Sequence, residues 1–120
     1  MSDWTEDNFG NEGARDYLSM LIARLVANIG EVVNDDERIA PAEDGESILM
    51  PAVEVLALLC ERYDAAPPRL ATVRGWHEKY LAAFDAAKLK ASPAFKTARR
   101  KVIENTFRWL EGLAESYHES

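Results

Sequence analysis

Residues 47–63 read SILMPAVEVLALLCERY and form the most apolar stretch of the chain. A helix over this stretch would carry apolar residues on two neighbouring faces, the first with Leu49, Val53, Leu56, Cys60 and Tyr63 and the second with Ile48, Ala52, Val55 and Leu59. This surface is wider than a helix with one solvent face needs, so the sequence predicts a helix buried between two or more partners. Ser47 is the predicted N-cap, and Pro51 predicts only a slight kink or a loosened first turn.

Three further segments have the periodicity of amphipathic helices. The first is predicted from about Glu12 to Val33 with Asn11 as its N-cap, the third from about Pro68 to Lys88, and the fourth from Ser92-Pro93 to about Tyr117. The predicted fold class is therefore all-α, a compact bundle of four main helices with the second helix in the middle. Short connections favour antiparallel pairing of helix two with helix three and of helix three with helix four.

The length of 120 residues is that of a single domain, residues 1–120, which can bury roughly two thirds of its unfolded surface without metals or disulfides. The only cysteine, Cys60, excludes an intramolecular disulfide and favours a reducing compartment. No apolar run approaches the roughly 20 residues that cross a bilayer, and no secretory leader is recognisable. We therefore expect a cytoplasmic protein with no membrane partner.

The first 13 residues have no helical period but contain two large aromatic residues, Trp4 and Phe9. Burying such side chains is favourable, so we expect an ordered N-terminal lead-in that is anchored on the core by these two residues.

This opening also resembles a known family. The pattern of Trp4, Phe9, Asn11, Ala14, Asp16, Tyr17 and Leu18 is similar to the opening of the small bacterial proteins of domain-of-unknown-function family 4259. Thr5, Glu12 and Tyr17 stand where that family usually has glycine, aspartate and tryptophan. The resemblance implies a small, mostly helical domain and implies no activity.

The net charge of −7 is concentrated in the N-terminal part of the chain, where residues 1–47 hold twelve acidic and three basic side chains. This balance disfavours nucleic acid and anionic membranes as partners, because both are polyanions. The predicted connection at residues 34–46 is especially acidic, with Asp35, Asp36, Glu37, Glu43 and Asp44 as candidate partner-binding residues. Their spacing does not match a calcium-binding loop.

Catalytic motifs are not recognisable in the sequence, and neither are cofactor or metal motifs. His77 and Glu78 begin a zinc-like pattern, but position 81 is leucine where a second histidine is needed. Trp76, Tyr80 and Trp109 are aromatic residues that could line a pocket together with His77, although an aromatic stripe at helical spacing is more often core.

Two functions remain open at this level. The first is a non-enzymatic interaction module, such as an immunity or antitoxin-like protein, whose acidic half docks on a basic partner protein. The alternative is a small-molecule or enzymatic pocket built from Trp76, His77, Tyr80 and Trp109. A homodimer is predicted if a helix face leaves surplus apolar surface exposed.

Overall fold

Residues 5–119 are described by a computed structural model in which four α-helices form a bundle of 56 × 26 × 23 Å. The helices are α1 (Glu12–Val33), α2 (Met50–Tyr63), α3 (Leu70–Ala86) and α4 (Pro93–Glu119), and a π-helical segment, Pro41–Leu49, runs directly into α2. No strand is present among the described residues. The predicted all-α bundle of four main helices is confirmed.

Side-chain caps fix the starts of α1 and α4 where the sequence predicts them. The side-chain oxygen of Asn11 accepts a hydrogen bond from the backbone N–H of Ala14 at 2.8 Å. The Ser92 hydroxyl accepts one from the N–H of Phe95 at 3.1 Å, and Pro93 occupies the first helical position. Each cap satisfies a backbone donor that the first turn of a helix leaves without a partner.

The start of α2 differs from the prediction. The chain is already helical from Pro41, and the Ser47 hydroxyl donates to the carbonyl oxygen of Glu43 at 3.0 Å, so Ser47 is not an N-cap. The N–H of Met50 bonds to the carbonyl of Gly45, five residues back, which is the π pattern. The kink lies at Glu43, the one residue of the segment with non-helical dihedral angles.

Gly45 is buried in this segment and does not break it. A Cβ atom at this position would lie 2.5 Å from the carbonyl oxygen of Ile39 and 2.5 Å from the ring of Tyr80. Only glycine lets the backbone approach both groups this closely. The sequence alone does not show this requirement, because it depends on the π-helical turn that brings Ile39 close and on Tyr80, 35 positions away.

The four helices follow one another around the bundle in the order α1, α2, α4, α3. Helix α2 packs between α1 and α4, and α3 packs on α4 and, over a shorter length, on α1. Within residues 5–119, no Cα atom of α2 comes within 8 Å of a Cα atom of α3, so the predicted pairing of helix two with helix three is wrong. The predicted position of helix two in the middle of the other three helices is wrong for the same reason, because α2 contacts only α1 and α4 among them. The predicted pairing of helix three with helix four is confirmed. Asp64 adopts a left-handed conformation (φ 53°), and irregular residues 65–69 then lead the chain across the end of the bundle.

The core is a single cluster to which every helix contributes. Its largest fully buried side chains are Ile29, Val32, Leu49, Val53, Leu56, Val73, Tyr80, Ile103, Phe107 and Leu110. Burying an aliphatic or aromatic side chain of this size stabilises the fold by roughly 1.5–3 kcal/mol. The expectation that both apolar faces of α2 are buried holds only in part, because Val55 remains 43% exposed and Tyr63 38% exposed.

The described part of the N-terminal lead-in folds back on the end of α2. The ring of Phe9 packs edge-on against Tyr63 with 4.7 Å between ring centroids, and the N–H of Thr5 donates to the carbonyl of Gly10 at 2.9 Å. Phe9 is therefore an anchor as predicted, whereas Trp4 lies outside the described residues. No helix within residues 5–119 combines the length and the hydropathy that crossing a membrane requires.

Candidate interaction site

The acidic connection between α1 and α2, residues 34–46, forms a compact element that we call the acidic turn. Asp36, Glu37 and Glu43 are exposed on it. None of these three carboxylates has an ion-pair or hydrogen-bond partner in the described part of the chain. Their negative charge is therefore available to a partner.

Asp35 and Asp44, the other two predicted partner-binding residues, hold the acidic turn together. The carboxylate of Asp35 accepts hydrogen bonds from the backbone N–H groups of Arg38 and Glu37, both at 3.0 Å, and these bonds lower the pKa of Asp35. The carboxylate of Asp44 accepts a hydrogen bond from the Arg38 guanidinium at 2.7 Å, which raises the pKa of Arg38. Asp35 and Asp44 therefore stabilise the turn, whereas the three exposed acids face solvent.

Buried groups fix the acidic turn to the bundle. Ile39 is 8% exposed, Pro41 and Gly45 are buried, and Gly45 lies against the ring of Tyr80. Because its backbone is fixed at several points, the turn presents its carboxylates from a rigid frame.

The last acid of the acidic turn, Glu46, belongs to a hydrogen-bond network that also includes α3 and α4. The hydroxyl of Tyr80 on α3 donates to Glu46 Oε2 at 2.7 Å, and Arg99 on α4 donates to both carboxylate oxygens at 2.5 and 3.1 Å. Burial raises the pKa of Glu46, but the hydrogen bonds from Arg99 and Tyr80 outweigh it and leave the pKa below its ordinary value. Sequence reasoning missed this pair because Glu46 and Arg99 are 53 positions apart.

Replacing Glu46 with glutamine is expected to destabilise the protein by about 1–3 kcal/mol at neutral pH, because the substitution removes charge-assisted hydrogen bonds from a half-buried site. Because the pKa of Glu46 is lower in the folded protein than the unfolded-state pKa of about 4.3, the ionised carboxylate stabilises the fold above that pH. This stabilisation is lost as the pH falls through the folded-state pKa. The stabilities of wild type and variant should therefore converge in acid. Urea unfolding from pH 7 to pH 2.5 measures this convergence, with exposed Glu61→Gln as the control. A difference that stays constant over that range would contradict the assigned role.

The residues of the predicted pocket lie at different places in the bundle. Trp76 is 6% exposed and Tyr80 fully buried, so both belong to the core, and Trp109 is half-buried on α4. None of five surface cavities found within residues 5–119 is lined by these three residues or by His77. The pocket stays a prediction that no observed cavity supports.

His77 does meet an ionisable group, Glu111 of α4. Its Nδ1 atom lies 2.8 Å from Glu111 Oε2, and its ring stacks on Phe107 with 4.9 Å between centroids. A histidine oriented by a carboxylate in this way can act as a base through its other nitrogen. Here Nε2 is sealed from solvent and has no hydrogen-bond partner among the described residues, so a substrate cannot reach it. The hydrogen bond between His77 and Glu111 therefore connects α3 to α4.

A cavity of about 420 Å³ lies at the opposite end of α2 from the acidic turn, beside the N-terminal lead-in. Phe9, Tyr63, Arg15 and Arg62 are among its lining residues. Cys60 is buried nearby on α2, and burial raises the pKa of its thiol to about 11. A thiol with that pKa is protonated at neutral pH and is a poor nucleophile.

Metal-binding side chains do not converge in the described residues: no group of three or more histidine, cysteine, aspartate or glutamate side chains is placed to hold an ion there. Comparisons of the chain with protein-family models, with curated proteins and with solved structures found no match. The resemblance of residues 4–18 to domain-of-unknown-function family 4259 therefore stays a prediction.

Proposed function

We propose that the protein is a non-enzymatic interaction module that docks a basic partner protein through the acidic turn. The observation that supports the proposal is that the acidic residues of the turn have two different roles. Asp35 and Asp44 satisfy groups within the turn, and Asp36, Glu37 and Glu43 remain exposed and unpaired in the described part of the chain.

A rigid acidic surface suits such docking for two physical reasons. Negative charge attracts a basic protein over about 8–10 Å at physiological salt and so raises the association rate. A frame that is already ordered loses little conformational freedom on binding, and more of the interaction energy then appears as affinity. Arg38, the one basic residue of the turn, is paired with Asp44 and so does not neutralise the exposed acids.

The partner class that fits this surface is a protein with a basic groove or patch. A nuclease-like target has such a surface because it binds a polyanion. An immunity or antitoxin-like role, in which the acidic turn covers the basic surface of a toxin, is the most specific form of the proposal.

A pull-down from extracts of the native host tests the proposal. The bait variant Asp36→Asn, Glu37→Gln, Glu43→Gln removes the three exposed charges and keeps Asp35, Arg38 and Asp44 in place. We expect the wild-type bait to recover a basic protein at low salt. Recovery should fall about tenfold with the triple variant at low salt, and about tenfold with the wild-type bait at high salt.

The control bait removes three exposed acids elsewhere, through Asp16→Asn, Glu78→Gln and Glu115→Gln. Its net charge equals that of the first variant, so a general effect of charge would reduce recovery with both baits. Equal recovery with all three baits, or recovery of nothing at low salt, would overturn the proposal.

A further inference from the structure

One face of α2 remains uncovered although α2 lies in the most apolar stretch of the chain. Pro51, Val55, Leu58 and Arg62 recur at spacings of four, three and four residues, which places them on one helical face, and all four are exposed. Val55 is 43% and Leu58 48% exposed. We call these four residues, with the adjacent Glu54 and Val102, the α2 patch.

Helix α4 extends the α2 patch on one side. Val102 is 49% exposed and lines the same shallow cleft as Pro51 and Glu54. Large aliphatic side chains exposed side by side on neighbouring helices are typical of interaction surfaces.

The charges of the α2 patch are complementary to one another. Glu54 and Arg62 flank the aliphatic residues at opposite ends, and neither has an ion pair within residues 5–119. If two α2 helices pair antiparallel so that Val55 packs on the partner's Leu58, each Arg62 faces the partner's Pro51. The partner's Glu54 is three residues from its Pro51, so Arg62 and the partner's Glu54 are offset by about 4.5 Å along the helix axis. Their side chains are long enough to meet across this offset. The contact is therefore complementary in both charge and apolar surface.

From this complementarity we infer that the α2 patch binds a second copy of the chain, in a two-fold dimer with antiparallel α2 helices. A standard interface buries about 800 Å² on each partner, so the contact would extend beyond the α2 patch onto the flanking surfaces of α1 and α4. The acidic turn precedes α2, so the antiparallel arrangement places the two acidic turns at opposite ends of the dimer. The inference does not depend on the proposed docking function.

Sedimentation velocity tests the dimer on the full chain. At about 100 µM, where a dimer with a micromolar dissociation constant is mostly assembled, we expect wild type to sediment at twice the monomer mass. Leu58→Asp should sediment as a monomer, because the substitution places two carboxylates in the centre of the contact. The control Met20→Asp alters an equally exposed apolar side chain on the outer face of α1 and should remain dimeric.

Charge reversal then tests the geometry. Glu54→Arg alone and Arg62→Glu alone should each weaken the dimer at least tenfold, since each places like charges opposite one another. The double variant restores opposite charges across the two-fold axis and should recover the dimer. A monomeric wild type at 100 µM would overturn the inference, and so would a double variant that dimerises no better than the single variants. Circular dichroism of each variant distinguishes loss of the dimer from loss of the fold.

Discussion

Replacing Phe107 with alanine is expected to lower the free energy of unfolding by about 3–5 kcal/mol. Phe107 is fully buried where α3 packs on α4, and its ring stacks on His77. Alanine would leave a cavity, and the imidazole paired with Glu111 would lose the ring that packs on it. Urea unfolding followed by circular dichroism measures the loss.

Phe95 provides a matched control on the same helix. Its ring is 55% exposed, so Phe95→Ala removes the same atoms without opening a cavity and should change the stability by no more than about 0.5 kcal/mol. Equal losses for the two variants would show that the interior of the bundle is not packed as described.

Replacing Gly45 with alanine is expected to destabilise the protein by about 2–3 kcal/mol, a large effect for one added methyl group. The new Cβ would lie 2.5 Å from the carbonyl oxygen of Ile39 and from the Tyr80 ring. The carbonyl is backbone and cannot move without shifting the acidic turn. The variant should therefore also weaken the Tyr80–Glu46 hydrogen bond, which adds to the cost.

Gly112→Ala is the control for this substitution. Gly112 lies in the interior of α4, and a Cβ atom at this position would meet open space, so alanine should stabilise the helix by about 0.5–1 kcal/mol. The two glycine substitutions should thus have opposite signs in the same unfolding assay. A stabilising Gly45→Ala would contradict the close approach of the turn to Tyr80.

Local signals in the sequence are sufficient for much of the fold. The caps at Asn11 and Ser92 depend on residues three positions apart, and the period of α1 extends over its full length. Two ion pairs on α4, between Arg100 and Glu104 and between Glu104 and Arg108, likewise join residues only four positions apart. Glu111, which lies three residues after Arg108, binds His77 on α3 instead.

The features that sequence reasoning missed depend on contacts between distant parts of the chain. The close approach of Tyr80 to Gly45 and the ion pair of Arg99 with Glu46 join residues far apart in the sequence, and neither contact has a local signature. The sequence pattern overestimates burial on α2 at Val55, because periodicity gives the width of an apolar face but not the number of neighbours that cover it.

The candidate site was predictable in position but not in the roles of its residues. The run of acids at residues 34–46 is visible in the sequence. That Asp35 caps its own turn could have been inferred as well, since aspartate commonly bonds backbone N–H groups two and three residues ahead. The pairing of Arg38 with Asp44 depends on the π-helical segment that brings them together, and no sequence signal indicates that segment.

The most direct test of the docking proposal is the salt dependence of binding to the recovered basic partner, measured by titration calorimetry for wild type and for Asp36→Asn, Glu37→Gln, Glu43→Gln. The proposal predicts that wild-type affinity falls steeply as salt rises, and that the triple variant binds more weakly with a clearly shallower dependence. Parallel salt dependences with equal affinities would contradict it, because the three exposed carboxylates would then take no part in recognition.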